Sequence, residues 1–267
     1  MKNYFFKQWF LYATIILSLF ATSCVNQKKI AYFQPATVTT DTVKSEALPK
    51  YTLLLKARDI ISVDVSSISP EASLMFNPHS LMQTVSYQYS LTNNLAPSIG
   101  YMIDNTGSIS LPMMGKVVVE GLNTKEAGDL IALKLEKYLI NPTVNVRMLN
   151  YRVSVMGEVN RPSVYTIPNE IITLPEVLSL AGDLTVYAKR NNVLVIREKN
   201  GKREFARVDL TKRDIFNSPY YYLQPNDMVY VEPLKGKSTS TNRSMQLAPT
   251  VLSGISLLVV MLSIIYK

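Results

Sequence analysis

Residues 103–131 read IDNTGSISLPMMGKVVVEGLNTKEAGDLI, and this stretch sets the pattern of the first half of the chain. It predicts a hairpin between Tyr101 and Val119. Asp104-Asn105-Thr106-Gly107 supplies turn residues, and Ile109, Leu111, Val117 and Val119 supply the flanks. Asn123-Thr124-Lys125-Glu126 then offers a helix N-cap. Ala127, Leu130, Ile131, Leu135 and Leu139 follow at helical spacing until Asn141-Pro142 stops the helix. Val144, Val146 and Met148 alternate as a strand. Upstream, Ile60 to Val65 is rich in β-branched residues and reads as another strand. Ser66 to Gly100 reads as a long loop or irregular insertion, and residues 25–50 as a polar linker.

A second unit begins at Arg152. Val153, Val155 and Val159 suggest a strand, Asn160-Arg161-Pro162-Ser163 a turn, and Val164 to Ile167 another strand. Thr173-Leu174-Pro175-Glu176 caps a short helix that Gly182 ends. Strands over Val193–Arg197, Phe205–Leu210 and Met228–Val231 complete it, with a turn at Asn200-Gly201. The two units share a faint echo. LKARDIISV at 55–63 and LQPNDMVYV at 223–231 both read L-x-x-x-D-h-h-x-V, with h an apolar residue. Physically this is a turn whose aspartate bonds nearby amides before a buried strand.

Composition narrows the function. The chain of 267 residues is 47% hydrophobic and 18% charged, which excludes a disordered or fibrous chain. It holds one histidine, His79, and one cysteine, Cys24. An internal disulfide, a Cys/His zinc site and a catalytic triad built around His79 are thereby disfavoured. The net charge is +8, or +6 once Lys2 and Lys7 leave with a leader. The basic residues are dispersed, and the densest run, Lys189 to Arg207, also contains Glu198 and Glu204. That run reads as a solvated mixed-charge face, so no nucleic-acid partner is expected. No arrangement of carboxylates suggests an enzyme, and no cofactor or metal site is expected.

Both ends carry signals. Lys2 and Lys7 precede an apolar run, Phe10 to Phe20, then Ala21-Thr22-Ser23 and Cys24. These are the parts of a secretory leader, residues 1–23. With a cysteine directly after the small residues, the leader resembles a bacterial lipoprotein signal, which implies Cys24 as the acylated residue. At the other end, Val251 to Tyr266 is uncharged; sixteen helical residues reach about 24 Å, short of a bilayer core of about 30 Å. Counting from Leu247 lengthens it into a candidate membrane-spanning helix, 247–267. Ser253, Ser256 and Ser263 lie on one face of that helix. A plain anchor tolerates such serines; alternatively the face meets sister helices or a water-filled lumen.

From Tyr51 to Pro233 the order of motifs resembles the outer-membrane polysaccharide export family, the Wza-like translocons of capsule and exopolysaccharide. The resemblance rests on LKARDIISVDV at 55–65, on residues 103–131 and on NPTVNVRM at 141–148. It continues through VSVMGEVNRPSVYTI at 153–167, Leu180-Ala181-Gly182-Asp183 and Leu223-Gln224-Pro225-Asn226-Asp227, which resemble a soluble-ligand-binding β-grasp (SLBB) domain. The matching positions include Asp59, Asp104, Gly107, Pro112, Gly115, Gly157, Glu158, Pro162, Gly182 and Asp227. Ala57-Arg58, Ser163 and Asn226 stand where the family has proline or glycine, which puts local turn types in question.

The resemblance implies an α+β fold: a β-rich periplasmic export domain at 51–150, then a β-grasp domain at 151–234. A linker at 235–246 leads to the C-terminal transmembrane amphipathic helix, and residues 24–50 form the acylated N-terminal linker. It further implies a homo-oligomeric ring, often of eight subunits, in the outer membrane, anchored in lipid and contacting an inner-membrane chain-length determinant or tyrosine autokinase. The expected function is a passive conduit for a polysaccharide chain, and the serine face then lines a hydrated pore. Tyr87, Tyr89, Tyr101 and Tyr220 to Tyr222 could meet sugar or be half-buried strand residues. A periplasmic glycan-binding or scaffolding lipoprotein without a pore remains the competing reading.

Overall fold

The fold is taken from a computed structural model, which describes residues 30–35, 51–78, 100–199, 201–234, 236–237 and 243–265. The first unit contains β1 (Ile60–Ser66), α1 (Pro70–Leu74), β2 (Tyr101–Met102), β3 (Ser108–Leu111), β4 (Gly115–Val118), α2 (Thr124–Leu135) and β5 (Thr143–Met148). β1 is the centre of an antiparallel sheet ordered β2-β1-β5. Ile61, Val63 and Val65 point into the core, and Val63 faces Val146 across the ladder. Ser62 on the opposite face is buried as well, so the first half of this central strand is covered on both faces.

The α2 helix starts where the sequence predicts. The Asn123 side chain accepts from the Glu126 amide at 2.9 Å, and the Asn123 amide donates to Glu126 Oε2 at 3.0 Å. This reciprocal pair satisfies two donors that the first helical turn leaves open. Ala127, Ile131 and Leu135 are fully buried on its inner face.

One expectation changes. The hairpin turn falls at Pro112-Met113-Met114, between β3 and β4, and not at Asp104–Gly107. The latter turn carries the chain from β2 to β3, because β2 pairs with β1 instead of continuing into the hairpin. Within the predicted long loop, α1 forms a short helix capped by Ser69, which accepts from the Ala72 amide. The rest of that loop, with His79, Tyr87 and Tyr89, lies outside the described residues.

The second unit has β6 (Arg152–Gly157), β7 (Ser163–Thr166), α3 (Leu174–Leu180), β8 (Ala188–Lys199), β9 (Lys202–Val208), a 3-10 turn (Arg213–Asn217) and β10 (Met228–Pro233). Its sheet runs β7-β6-β10-β8-β9, with β6 and β10 parallel and the other pairs antiparallel. Val153, Val155, Val193, Val195, Val208, Val229 and Val231 are buried in one contiguous core with Leu174, Val177 and Leu178 of α3. Each buried valine side chain contributes on the order of 1.5 kcal/mol by leaving water. The α3 capping box is present: the Thr173 amide donates to Glu176 Oε2 at 2.7 Å, and the Glu176 amide donates to Thr173 Oγ1 at 3.3 Å.

The mixed-charge reading of 189–207 holds only in part. Lys189 and Arg207 reach Glu232 at 3.2 and 2.7 Å, and Arg203 reaches Glu198 at 2.6 Å, all at the surface. Arg190 and Arg197 are instead buried, because the pleat of β8 turns them inward.

The polar linker also departs from expectation. Residues 30–35 lie against the second unit: the Phe33 amide donates to the Leu210 carbonyl and the Gln34 amide to that of Thr211. The aromatic pair Tyr32-Phe33 supplies the apolar surface that holds this piece down.

The last element is α4 (Arg243–Ile265). Every residue of it whose exposure is described is exposed, including Leu252, Ile255, Leu257 and Leu258. Among the described residues, no helix is long and apolar enough to cross a membrane. The expected transmembrane helix is therefore not supported. The first turns of α4 carry Arg243, Ser244, Gln246 and the internal Pro249, and the strongly apolar stretch begins only at Val251.

Candidate functional site

The two echo motifs form the same turn twice. In the first, the Asp59 amide donates to the Lys56 carbonyl at 3.1 Å, and Asp59 Oδ2 accepts from the Lys56 amide at 2.8 Å. In the second, the Asp227 amide donates to the Gln224 carbonyl at 3.1 Å, and Asp227 Oδ2 accepts from the Gln224 amide at 2.7 Å. Both aspartates are buried. Burial pushes the Asp59 carboxyl up from its ordinary value, against the opposing pull of the Lys56 amide and the Lys56 charge.

The turns meet at the junction of the two units. Lys56 Nζ donates to Gln224 Oε1 at 3.1 Å. The Leu223 carbonyl accepts from two phenols, Tyr51 at 3.1 Å and Tyr151 at 2.6 Å. Tyr51 stacks on Tyr222 with ring centroids 4.9 Å apart. On another side Thr124 Oγ1 donates to Glu170 Oε2 at 2.8 Å, across a cleft of about 620 Å³ that Lys125, Asp129 and Arg147 also line. The units are thus joined by side chains that each bring a polar tip and an apolar body.

Asp227 also holds Arg197. The guanidinium donates from Nε to Oδ1 at 3.0 Å and from Nη2 to Oδ2 at 2.7 Å, and Nη2 reaches the Tyr222 carbonyl at 3.0 Å. The Tyr220 ring covers the guanidinium, 4.8 Å from its centroid. Burial pulls the Arg197 pKa down, but the bonds and charge of Asp227 outweigh it and the pKa is raised. Tyr220 to Tyr222 are half-buried, and they follow the 3-10 turn instead of lying in a strand. Tyr101 is half-buried in β2.

The remaining family-motif positions have structural surroundings. Asp104 Oδ1 accepts from the Thr106 hydroxyl, the Thr106 amide and the Ser108 amide, and Oδ2 pairs with Lys116 at 3.1 Å. The Thr106 hydroxyl first, then the Ser108 amide, hold this carboxyl well below its usual range. The Gly107 carbonyl accepts from the Val119 and Glu120 amides. Pro112 and Gly115 bracket the hairpin turn. Pro162 sits in the exposed β6–β7 turn, and the Gly182 carbonyl accepts from Asn160 Nδ2 at 2.7 Å.

Gly157 is required by close approach. Its φ is 93°, and a Cβ there would lie 2.1 Å from the Val231 carbonyl oxygen. Next to it, Glu158 accepts from Thr185 Oγ1 at 2.8 Å and pairs with Lys237. The Lys237 bond is the main reason the Glu158 carboxyl is lowered. This pair ties the start of the linker toward α4 to the second unit.

Cys24 lies outside the described residues. On α4, the Ser253 hydroxyl donates to the Thr250 carbonyl at 2.9 Å and the Ser256 hydroxyl to the Ser253 carbonyl at 2.8 Å. Both are exposed, and the Ser263 side chain is outside what is described. Among the described residues, no group of three or more His, Cys, Asp or Glu side chains is placed to hold a metal. Nothing in the sequence pattern marked the Arg197–Asp227 pair or the docking of Tyr32.

Family models match both units in order. The model described as polysaccharide biosynthesis/export protein matches residues 47–149, and that of the SLBB domain matches 151–231. The chain carries the domain pair of the polysaccharide export proteins. It carries an SLBB domain after its export domain, and the family is one of export proteins, not of enzymes. Among curated proteins, the chain is 28% identical over 165 residues to the EPS I polysaccharide export outer membrane protein EpsA of Ralstonia nicotianae. That match covers 58% of this chain and 43% of the relative. It is 29% identical over 137 residues to EpsA of Ralstonia solanacearum, covering 50% and 36%. With the exopolysaccharide production protein ExoF of Rhizobium meliloti it shares 35% identity over 94 residues, covering 33% and 22%. The matched part thus spans less than half the length of these relatives.

Proposed function

We propose that this chain is the outer-membrane component of a polysaccharide export machine and passes the polymer through a conduit made of several copies. The observation that carries this reading is the unbroken match to an export domain followed by an SLBB domain. Relatives named as export outer membrane proteins support the compartment.

In this reading residues 1–23 are a leader, Cys24 carries the lipid, and the bulk of the chain stands in the periplasm. The exposed leucines and isoleucines of α4 would be covered by lipid and by sister helices in a closed ring, with Ser253, Ser256 and Ser263 toward the lumen. The polymer and the inner-membrane chain-length determinant or tyrosine autokinase are its partners.

One observation favours the alternative, a monomeric glycan-binding or scaffolding lipoprotein. Ser253 and Ser256 satisfy their hydroxyl protons on their own helix, so they need neither a pore nor a neighbour. The deciding experiment is the native mass of the detergent-extracted, lipidated protein with and without residues 247–267. A large discrete oligomer that loses its membrane-embedded ring on truncation is expected. A monomer in both forms overturns the conduit.

A further inference from the structure

The SLBB domain contains a buried cation without an acid. Arg190 is 7% exposed and forms no ion pair among the described residues. Its Nη1 and Nη2 reach the Ala188 and Leu184 carbonyls only at 3.5 and 3.4 Å, and its Nε is buried without a hydrogen-bond partner. A buried guanidinium left this thinly satisfied is costly, and a fold keeps such a group when something else compensates.

What covers it is the segment 30–35. The guanidinium carbon of Arg190 lies 5.4 Å from the Tyr32 ring centroid. The Tyr32 hydroxyl donates to Asp183 Oδ1 at 2.7 Å, and Arg190 and Asp183 both act on this phenol. Burial and the bond to Asp183 push the phenol up to about 12, so it stays a donor. Asp183 itself has φ 68°, a left-handed backbone state that aspartate visits more readily than most residues. Besides those of Tyr32, the segment's ties include the Phe33 and Gln34 amide bonds, the Arg213 Nε bond to the Phe33 carbonyl, and the Phe33–Phe216 ring contact at 5.2 Å. Its β pairing is a single bridge, Gln34 with Lys212, and not a strand.

We infer that residues 30–35 are a strap over a saccharide site on the SLBB domain, with the Tyr32 hydroxyl standing where a sugar hydroxyl would sit between Asp183 and Arg190. A sugar hydroxyl donates and accepts through one oxygen, as a phenol does. Asp183 takes its proton, Arg190 gives to its lone pair, and the Phe216 ring, uncovered when Phe33 leaves with the strap, offers a face for the C–H side of a pyranose. Asp183 and Arg190 present one charge of each sign, which suits a neutral sugar hydroxyl that donates to one and accepts from the other. The strap begins six residues after Cys24, so its release by passing polymer would be felt within about 20 Å of the lipid tether. This inference rests on the export reading.

The test uses the full-length lipidated protein in detergent, in which acylation leaves no free thiol. A fluorophore on Ile30→Cys reports the strap. Short neutral malto-, cello- and manno-oligosaccharides are the probes, and an oligogalacturonate is the acidic control. A neutral oligosaccharide is expected to shift the Ile30 signal. Tyr32→Ala should bind it about tenfold more tightly, and Asp183→Asn about tenfold more weakly, with melting temperatures checked for both. The site is overturned if Tyr32→Ala binds none of the neutral probes, if Asp183→Asn binds as well as wild type, or if only the acidic probe binds. Polymer export by the complemented deletion strain separates the two ideas. Export that depends on the gene without any probe response sinks the strap site alone. Export that persists without the gene sinks the conduit.

Discussion

Arg58 and Asn226 occupy the same left-handed step of two equivalent turns, at φ 73° and 67°. Each precedes the buried aspartate that closes the turn, and each turn carries the i to i+3 bond and the positive third φ of a type II turn. The turn type is therefore kept although neither position is glycine. Asn tolerates this conformation; Arg stands in it at a cost of roughly 1–2 kcal/mol. Arg58→Gly is expected to be more stable than Arg58→Ala by about 1 kcal/mol, with Asn226→Gly near neutral. Urea midpoints of the three variants measure this. Equal midpoints for the two Arg58 variants would show that the turn is not strained.

Gly157→Ala places a methyl against the Val231 carbonyl in the parallel β6–β10 pair. Clash and positive φ together should cost about 3 kcal/mol. The readout is the denaturation midpoint, with exchange of the β10 amides as the local probe. A change below about 0.5 kcal/mol would contradict the close approach.

Arg197→Met leaves the Asp227 carboxylate buried and unpaired, and should cost about 3–5 kcal/mol. The double change Arg197→Met with Asp227→Leu should recover part of this by removing the stranded charge. Because Asp227 also accepts from the Gln224 amide, recovery will be incomplete. A double-mutant cycle by chemical denaturation measures the coupling.

Asp104 tests the acid side. Its carboxyl is held below the ordinary 3.8 by hydrogen bonds from Thr106, then Ser108. A depressed folded pKa means stability that is present above the unfolded value and lost as pH falls through the folded one. Wild type should therefore lose stability below about pH 4 more steeply than Asp104→Asn, read as melting temperature against pH. Parallel curves would refute the role given to this carboxylate.

Ser253→Leu combined with Ser256→Leu should leave helicity unchanged, because the lost bonds return only to the helix's own carbonyls. If the serine face lines a conduit, polymer export falls while membrane attachment stays. Unchanged export would favour the scaffolding reading.

Much of the fold was legible because its signals are local. Asn123 with Glu126 and Thr173 with Glu176 are capping boxes readable at a spacing of three, and the strands read at Ile60–Val65 and Val144–Met148 are present. The hairpin was misplaced by one turn. Asp104–Gly107 and Pro112–Met114 are both turn formers, and only the pairing of β2 with β1 decides between them. The burial of Arg190 and Arg197 was missed because charge density says nothing about which way a pleat faces.

By itself the sequence determined the two-unit order, the helices and their caps, the repeated aspartate turn and the family, because each depends on residues close together along the chain. Tertiary structure alone decided which turn ends the hairpin, that Lys56 meets Gln224 at the junction, and that Tyr32 lies between Asp183 and Arg190. Those partners are separated by up to 168 residues. Contacts at such range arise only when sheets with buried faces close on one another, which no local pattern records.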